Sequence, residues 1–289
     1  MINKKNVIAE IETLSGVKTL VGAYEEIAAT RMRKIRGQVL QSRDFLSGLT
    51  AILKDVQMSY KKEVMALMKR KKVKDPSKIS LIPHNGKTVS VLISANTGLY
   101  GDIVKKTFYL FSDAIGKEKT DLTIIGRLGR SYLNEMDPKR EFTYFDFPDN
   151  MIDSEELRKI GNHIVQYEKV VIYYGQFQNI VTQNAIALNI SDTQIEGETQ
   201  APGLKYFFEP SLEKIIVFFE KEIFASIFEQ SIHESQLAKF ASRMISLDQA
   251  VGNIRDKLKK AEFQKRAVLH REINKKQLES LSGIHLWQK

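Results

Sequence analysis
The chain has 289 residues, enough for one large domain or a modest domain with appendages, and ample for a hydrophobic core. It has no cysteine, which excludes disulfides, thiolate metal sites and a cysteine nucleophile. Its 44 Lys and Arg against 35 Asp and Glu give a net charge of +9, which suits an acidic partner or plain solubility. The first residues, MINKKNVIAEIETL, mix charges with apolar groups, so no signal peptide is expected. Apolar runs such as Ile215 to Phe219 are too short to cross a bilayer.

Residues 1–69 form the first part. Apolar residues recur at steps of four and three through Val7, Ile11, Leu14, Val21, Ala28, Met32, Ile35, Val39, Leu46, Leu49, Leu53, Val56 and Tyr60. Lys18, Glu25 and Ser42 interrupt the series. The spacing predicts one long helix with a coiled-coil seam, about 90–100 Å in length. MKRKKVKDPSK, Met68 to Lys78, reads as a basic, proline-broken linker over residues 69–84.

The middle part, residues 70–209, changes character. Lys87 to Ala95, Thr120 to Gly126 and Glu168 to Gly175 are short β-branched runs bounded by Gly, Asn and Asp, separated by helix-length segments. This pattern predicts a parallel or mixed sheet covered by helices. Asp153 or Ser154 is the expected cap of one such helix. In the last part, residues 210–289, Ser211 is a candidate N-cap with Glu209 and Glu213 beside it. A second seam follows through Leu237, Phe240, Met244, Leu247, Val251, Ile254, Leu258, Ala261 and Val268, broken by Lys265. Two long seams at the two ends of the chain predict an antiparallel pair. Facing positions should then sum to roughly 270, give or take a turn or two for supercoiling and helix offset. That places Val56 near Leu212, Ala28 near Phe240 or Met244, and Leu14 near Ile254 or Leu258. From about Leu269 onward the last helix should project alone, with Leu278, Leu281, Ile284, Leu286 and Trp287 as its apolar contacts.

Chemistry-bearing motifs are scarce. SANTGLYGD, Ser94 to Asp102, joins a strand to a helix, the place where α/β proteins hold phosphate. It lacks the P-loop lysine and hydroxyl, and Asp102 would repel phosphate. Gly98 and Gly101 are therefore expected to serve a sharp turn, and GRLGRS, Gly126 to Ser131, has the wrong spacing for a dinucleotide site. His84, His163, His233, His270 and His285 show no metal-ligand spacing and read as surface or packing residues. His233-Glu234 is a weak acid–base candidate. Asp137, Asp146 and Asp149 read as turn residues. No catalytic, cofactor-binding or metal-binding residue is expected. In the basic clusters Thr30 to Arg36 and Arg255 to Arg266 nothing marks base readout and aromatics are not interleaved with the basic residues as in single-strand binders, so they read as solvated faces of a coiled coil and nucleic acid is not expected as a direct partner.

Several stretches, in order along nearly the whole chain, resemble the gamma subunit of F-type rotary ATPases. IAATRMRKI (Ile27 to Ile35) is similar to that family's VAASKLRRA-type stretch, and SANTGLYGD to its S-S-D-R-G-L-C-G turn. DLTIIGRLGRSYL (Asp121 to Leu133) is similar to its next strand and turn. YGQFQNIVTQ (Tyr174 to Gln183) resembles its F-x-S-x-x-x-Q stretch. YFFEPSLEKII (Tyr206 to Ile216) resembles its Y-x-x-E-P segment, and ESQLAKFASRMISLDQA (Glu234 to Ala250) its E-S-x-x-S-E-x-x-A-R-M-x-A-M helix. The resemblance implies an α/β fold with long helices: an antiparallel coiled coil of the terminal helices plus a central Rossmann-like domain. It implies a non-catalytic subunit of a rotary ATPase that couples ATP hydrolysis or synthesis in a hexameric ring to rotation. ATP, ADP and magnesium would sit on partner subunits, with none bound by this chain. The implied partners are a hexamer of alpha- and beta-type subunits around the helices, and an epsilon-type subunit and membrane rotor ring, or another output element, at the central domain. The implied location is cytoplasmic, peripheral to a membrane as part of the complex. Ring-contact candidates are Arg31, Arg33, Lys34, Arg36, Arg243, Lys265, Arg266, Glu272, Leu281 and Trp287.

The sequence also departs from the family. Its lysine-bearing KITKAM-type stretch reads TLVGAYEE here, Thr19 to Glu26. Its R-A-R-Q-A-x-I-T-x-E appears as FQKRAVLHREI, with Lys265 and Arg266 at the Arg-Gln pair, His270 for the Thr and Glu272 retained. These changes fall where the ring is touched, which fits a divergent complex doing mechanical work other than ATP synthesis. The competing reading is a non-rotary coiled-coil scaffold whose α/β head binds an acidic protein or nucleic acid.

Overall fold
The computed structural model describes residues 4–60, 84–117, 119–151, 153–191, 209 and 211–286. The basic linker and Trp287 lie outside these residues. The elements run α1 (Lys4–Ser59), β1 (Thr88–Ile93), α2 (Ile103–Ile115), β2 (Asp121–Ile125), α3 (Arg127–Met136), β3 (Thr143–Phe145), α4 (Ser154–Ile164), β4 (Lys169–Phe177), β5 (Gln183–Asn189) and α5 (Leu212–Leu286). They divide into two compact units, one of Thr30–Ser242 and one of Met1–Ala29 with Arg243–Lys289. Both long helices contribute to both units.

The larger unit is built on a five-stranded sheet in the order β3-β2-β1-β4-β5. β1, β2, β3 and β4 pair in parallel, and β5 joins β4 antiparallel. The period-2 alternation of strands decides which residues meet which helices. Val89, Val91 and Ile93 of β1 and Val170, Ile172 and Tyr174 of β4 share one core with Ile160 and Ile164 of α4 and Ile227, Phe228 and Ile232 of α5, and Leu46 of α1 packs against it. Leu92 and Tyr173 point to the other face, where Phe108, Phe111 and Ile115 of α2 and Leu133 of α3 cover them. The expected mixed sheet is thus present. β3 and β5, which have no comparable apolar run, complete its edges.

Local signals set the helix starts. Asp153 caps α4, its Oδ1 accepting from the backbone N–H of Glu155 at 2.9 Å and Glu156 at 3.3 Å. Ser211 Oγ accepts from Lys214 N at 3.4 Å at the start of α5. Gly126 opens α3 with φ 99°, and a Cβ there would stand 2.9 Å from the backbone nitrogen of Ala95. Both the backbone conformation and the close approach of β1's end require glycine. Gly126→Ala should cost about 2 kcal/mol or more. Gly161→Ala, in mid-helix with nothing within 4 Å, should instead stabilise by about 0.5–1 kcal/mol. Denaturant midpoints of the two variants measure the contrast.

The smaller unit pairs the start of α1 with the end of α5, antiparallel. Lys4 Nζ meets Glu272 Oε2 at 3.0 Å and sets the register. Those two residue numbers sum to 276, within the turn or two allowed around the expected 270. The seam residues Val7, Leu14, Val21 and Ala28 of α1 and Leu247, Ile254, Ala261 and Val268 of α5 are all buried or half-buried. Lys18, Glu25 and Lys265, the charged positions in the seams, are half-buried, and the apolar stems of such side chains can lie along a neighbouring helix. The pairing also reaches further along α5 than Leu269, since Lys4 contacts Glu272. Residues 270–281 are exposed. In the larger unit α1 and α5 are joined by Arg43 and Glu234, 2.6 Å apart. Cysteines placed at Ala28 and Leu247, in a chain that has none, should form a disulfide under mild oxidation. A cysteine at Leu281 should form none with α1, as non-reducing electrophoresis would report.

Candidate functional site
The turn after β1 lies where the strand order reverses between β1 and β4, the switch point at which doubly wound sheets take ligands. Here the chain fills it. Asp149 Oδ2 accepts from the backbone N–H of Asn96 and of Thr97, both at 2.9 Å, and from the Thr97 hydroxyl at 3.1 Å. Its Oδ1 meets Lys239 Nζ of α5 at 3.2 Å, and the same ammonium donates to the carbonyl of Ser94 at 2.9 Å. Asp149 is 5% exposed and Lys239 6%. Burial pushes the Lys239 ammonium pKa down, and the Asp149 carboxylate opposes that shift. Asp149 is therefore no simple turn residue, and the sequence offered no signal linking it to a lysine 90 positions away. Gly98 also differs from expectation. The left-handed residues are Leu99 (φ 66°) and Gly101 (φ 60°). Asp102 turns to Lys106, 2.6 Å away.

Beside this turn, the Asn96 side chain bonds Asp146 and the Phe147 carbonyl and accepts from the Arg127 N–H. Arg127 Nη2 donates to Asp146 Oδ2 at 2.8 Å. That hydrogen bond holds the Asp146 carboxyl below the usual carboxylate range and raises the Arg127 guanidinium. A depressed carboxylate contributes stability above its unfolded pKa, and loses it as pH falls through the folded one. Arg127→Ala should move the Asp146 titration upward towards the ordinary value, read by carboxyl-carbon NMR.

A second cluster ties α1 and α5 to β4. Glu234, 3% exposed, receives Arg43 Nη2 at 2.6 Å, Tyr174 Oη at 3.3 Å and Gln230 Nε2 at 3.2 Å. Burial first, then the carboxylate, push the Tyr174 phenol far above its ordinary pKa, so it stays a donor. His233 does not pair with Glu234. Its Nε2 lies 3.6 Å from Glu229 Oε1, one helical turn back. The acid–base candidate is thus split between two faces of α5.

The basic candidates separate by environment. Arg31 is half-buried: it donates to Asn150 Oδ1, and its guanidinium lies 5.8 Å from the Phe240 ring centre. Arg33, Lys34 and Arg36 are exposed on the same helix. In the smaller unit Lys265 and Arg243 are half-buried, Arg266 is exposed, Glu272 is paired with Lys4, and Leu281 is 63% exposed. Val17, Leu20, Tyr24 and Ile27 form a second, exposed apolar stripe on α1, spaced by three and four. Among the described residues, no group of His, Asp and Glu could hold a metal, and no helix is long and apolar enough to cross a membrane.

The fold and these clusters define a mixed α/β unit whose switch point is closed by its own carboxylate and whose sheet is bonded to two long terminal helices. The chain belongs to the ATP synthase family, whose model matches residues 3–284. Among its relatives are the ATP synthase gamma chains of Bdellovibrio bacteriovorus, 22% identical, and Geotalea daltonii, 23% identical, each matched over 98% of both chains. That of Mesoplasma florum is 23% identical over 88% of this chain and 87% of its own. In fold the chain is similar to one from the central stalk and c-ring of the Tetrahymena thermophila mitochondrial ATP synthase, with TM-score 0.58, 19% identity, and 80% of this chain and 99% of that one covered. It is also similar to a chain of the Euglena gracilis enzyme, with TM-score 0.51, 13% identity and coverage of 90% and 97%.

Proposed function
We infer that this chain is the gamma-type central shaft of an F-type rotary ATPase, coupling nucleotide turnover in a surrounding ring of alpha- and beta-type subunits to rotation. Its membership of the ATP synthase family over nearly its whole length supports this reading. The structural observation that carries it is the smaller unit. An antiparallel two-helix seam there leaves an outer apolar stripe, Val17, Leu20, Tyr24 and Ile27, and an exposed helix end bearing Ile273, Leu278 and Leu281. An isolated helix end is marginal in water, and apolar groups so placed call for an apolar sleeve. The collar of a hexameric ring supplies one. Nucleotide and magnesium are then held by the ring, and the α/β unit is the surface on which an epsilon-type subunit and a rotor ring would dock. A non-rotary scaffold is not favoured, because it gives no reason for a gamma-chain match across the seams and sheet together.

Arg33, Lys34 and Arg36 are the exposed cations suited to acidic levers of the ring, whereas Arg31 is committed to Asn150 and Phe240. The chain should co-purify with a nucleotide-binding hexamer. Reversing Arg33, Lys34 and Arg36 to Glu should lower the ATPase rate of the assembled complex several-fold and flatten its dependence on ionic strength. An unchanged rate with an unchanged salt response would assign those residues to a solvated face. Failure to capture any nucleotide-binding partner would remove the shaft reading itself.

A further inference from the structure
The Asp149 carboxylate has an environment that its own loop does not require. Two successive backbone N–H groups, of Asn96 and Thr97, converge on one of its oxygens, and a hydroxyl adds a third donor. Successive N–H groups turned to one point make a concavity for an anion. It stands after β1, beside the reversal of strand order, where a parallel sheet presents such donors to a ligand's phosphate. A lysine ammonium, buried on α5, completes the set from the opposite side. The four donors are those of an oxyanion site, and the oxyanion in it belongs to the chain.

We propose that the switch point of this sheet is an intact oxyanion-binding site permanently occupied by the Asp149 side chain, which acts as a built-in ligand joining the β1–α2 turn to α5. The site keeps its donors because a buried Lys239 without a partner would be costly. It keeps external phosphates out because its place is filled and Asp149 would repel them. The oxygen that faces Asn96 and Thr97 and the one that faces Lys239 are different atoms of one carboxylate, so one group holds both sides. Neutral polar neighbours would not balance the ammonium. Nearby, Asp146 is paired with Arg127 and Asp102 with Lys106, and the Arg31 guanidinium is bonded to Asn150 and lies against Phe240. The proposal concerns the isolated chain and is independent of the shaft reading, which stands or falls on capture of a ring.

Asp149→Ala empties the site while leaving all four donors. Formate is the probe, since it replaces the deleted carboxylate. At constant ionic strength against chloride, formate should raise the melting temperature of Asp149→Ala by several degrees, saturably, as a ligand that binds only the folded state does. The native chain and the Asp149→Ala/Lys239→Met double variant should show no such rise. Equal formate responses in Asp149→Ala and the native chain would overturn the proposal. If Asp149→Ala does not fold, Asp149→Asn gives the second test. It keeps the shape but leaves the ammonium unbalanced, so its denaturant midpoint should fall further than that of Asp149→Asn/Lys239→Met. A double variant as destabilised as, or more destabilised than, Asp149→Asn would show that the charge balance is not what holds the site, and would equally overturn it.

Discussion
Residues 231–242 of α5 are buried without interruption, more than three turns of helix with no exposed side. A helix enclosed on every face cannot keep its polar groups in water, so each needs a partner or carries a desolvation cost. The segment holds Glu234 and Lys239, opposite charges on different sides of the helix. The sheet and α1 supply what they need: Arg43 and Tyr174 for the carboxylate, Asp149 and the Ser94 carbonyl for the ammonium. Removing one member leaves a buried charge alone, which is costlier than losing the pair. The enclosed segment is therefore the joint on which the larger unit depends.

That joint suits a mechanical part. A sheet of this topology elsewhere gives its switch point to a ligand, and the fit of the surrounding helices then varies with ligand concentration. Here the carboxylate is covalently part of the chain, so the connection between turn and helix does not depend on any solute. Apolar packing reinforces it on the same helix: Ile227, Phe228 and Ile232 enter the core beneath β1 and β4, and Tyr100 meets Phe240 edge-on with ring centres 5.8 Å apart. Apolar contacts resist separation but little resist sliding. Charged and hydrogen-bonded contacts, being directional, resist rotation of a helix within its socket.

The coiled-coil end follows a different logic. Its seam is a repeat, so any shift by a heptad would bury similar apolar area. Lys18, Glu25 and Lys265 break that degeneracy. All three are half-buried within the seams, and Lys4 closes on Glu272. Three imperfect positions thus specify an alignment that a uniform seam would leave open. The ion pair is exposed, so screening leaves it a marker of register rather than a main source of stability.

The sequence by itself determined the two seams, the three inner strands and the caps at Asp153 and Ser211. These are encoded by periodicity and by neighbours a few residues apart, which local backbone geometry reads directly. Its motif order also carried the family. It did not reveal β3 or β5, whose short or half-buried runs become strands by pairing with β2 and β4. It suggested Gly98 as a turn residue, whereas the left-handed positions fell on Leu99 and Gly101, since φ depends on how the turn must meet its surroundings. The Asp149–Lys239 pair and the Glu234 cluster were decided by tertiary structure alone. Their partners lie far apart in the chain, and an aspartate near glycines looks the same whether solvent or a buried ammonium awaits it. The register of the helix pair was legible only to within a turn or two, because a seven-residue repeat states which residues face inward and not which ones face each other.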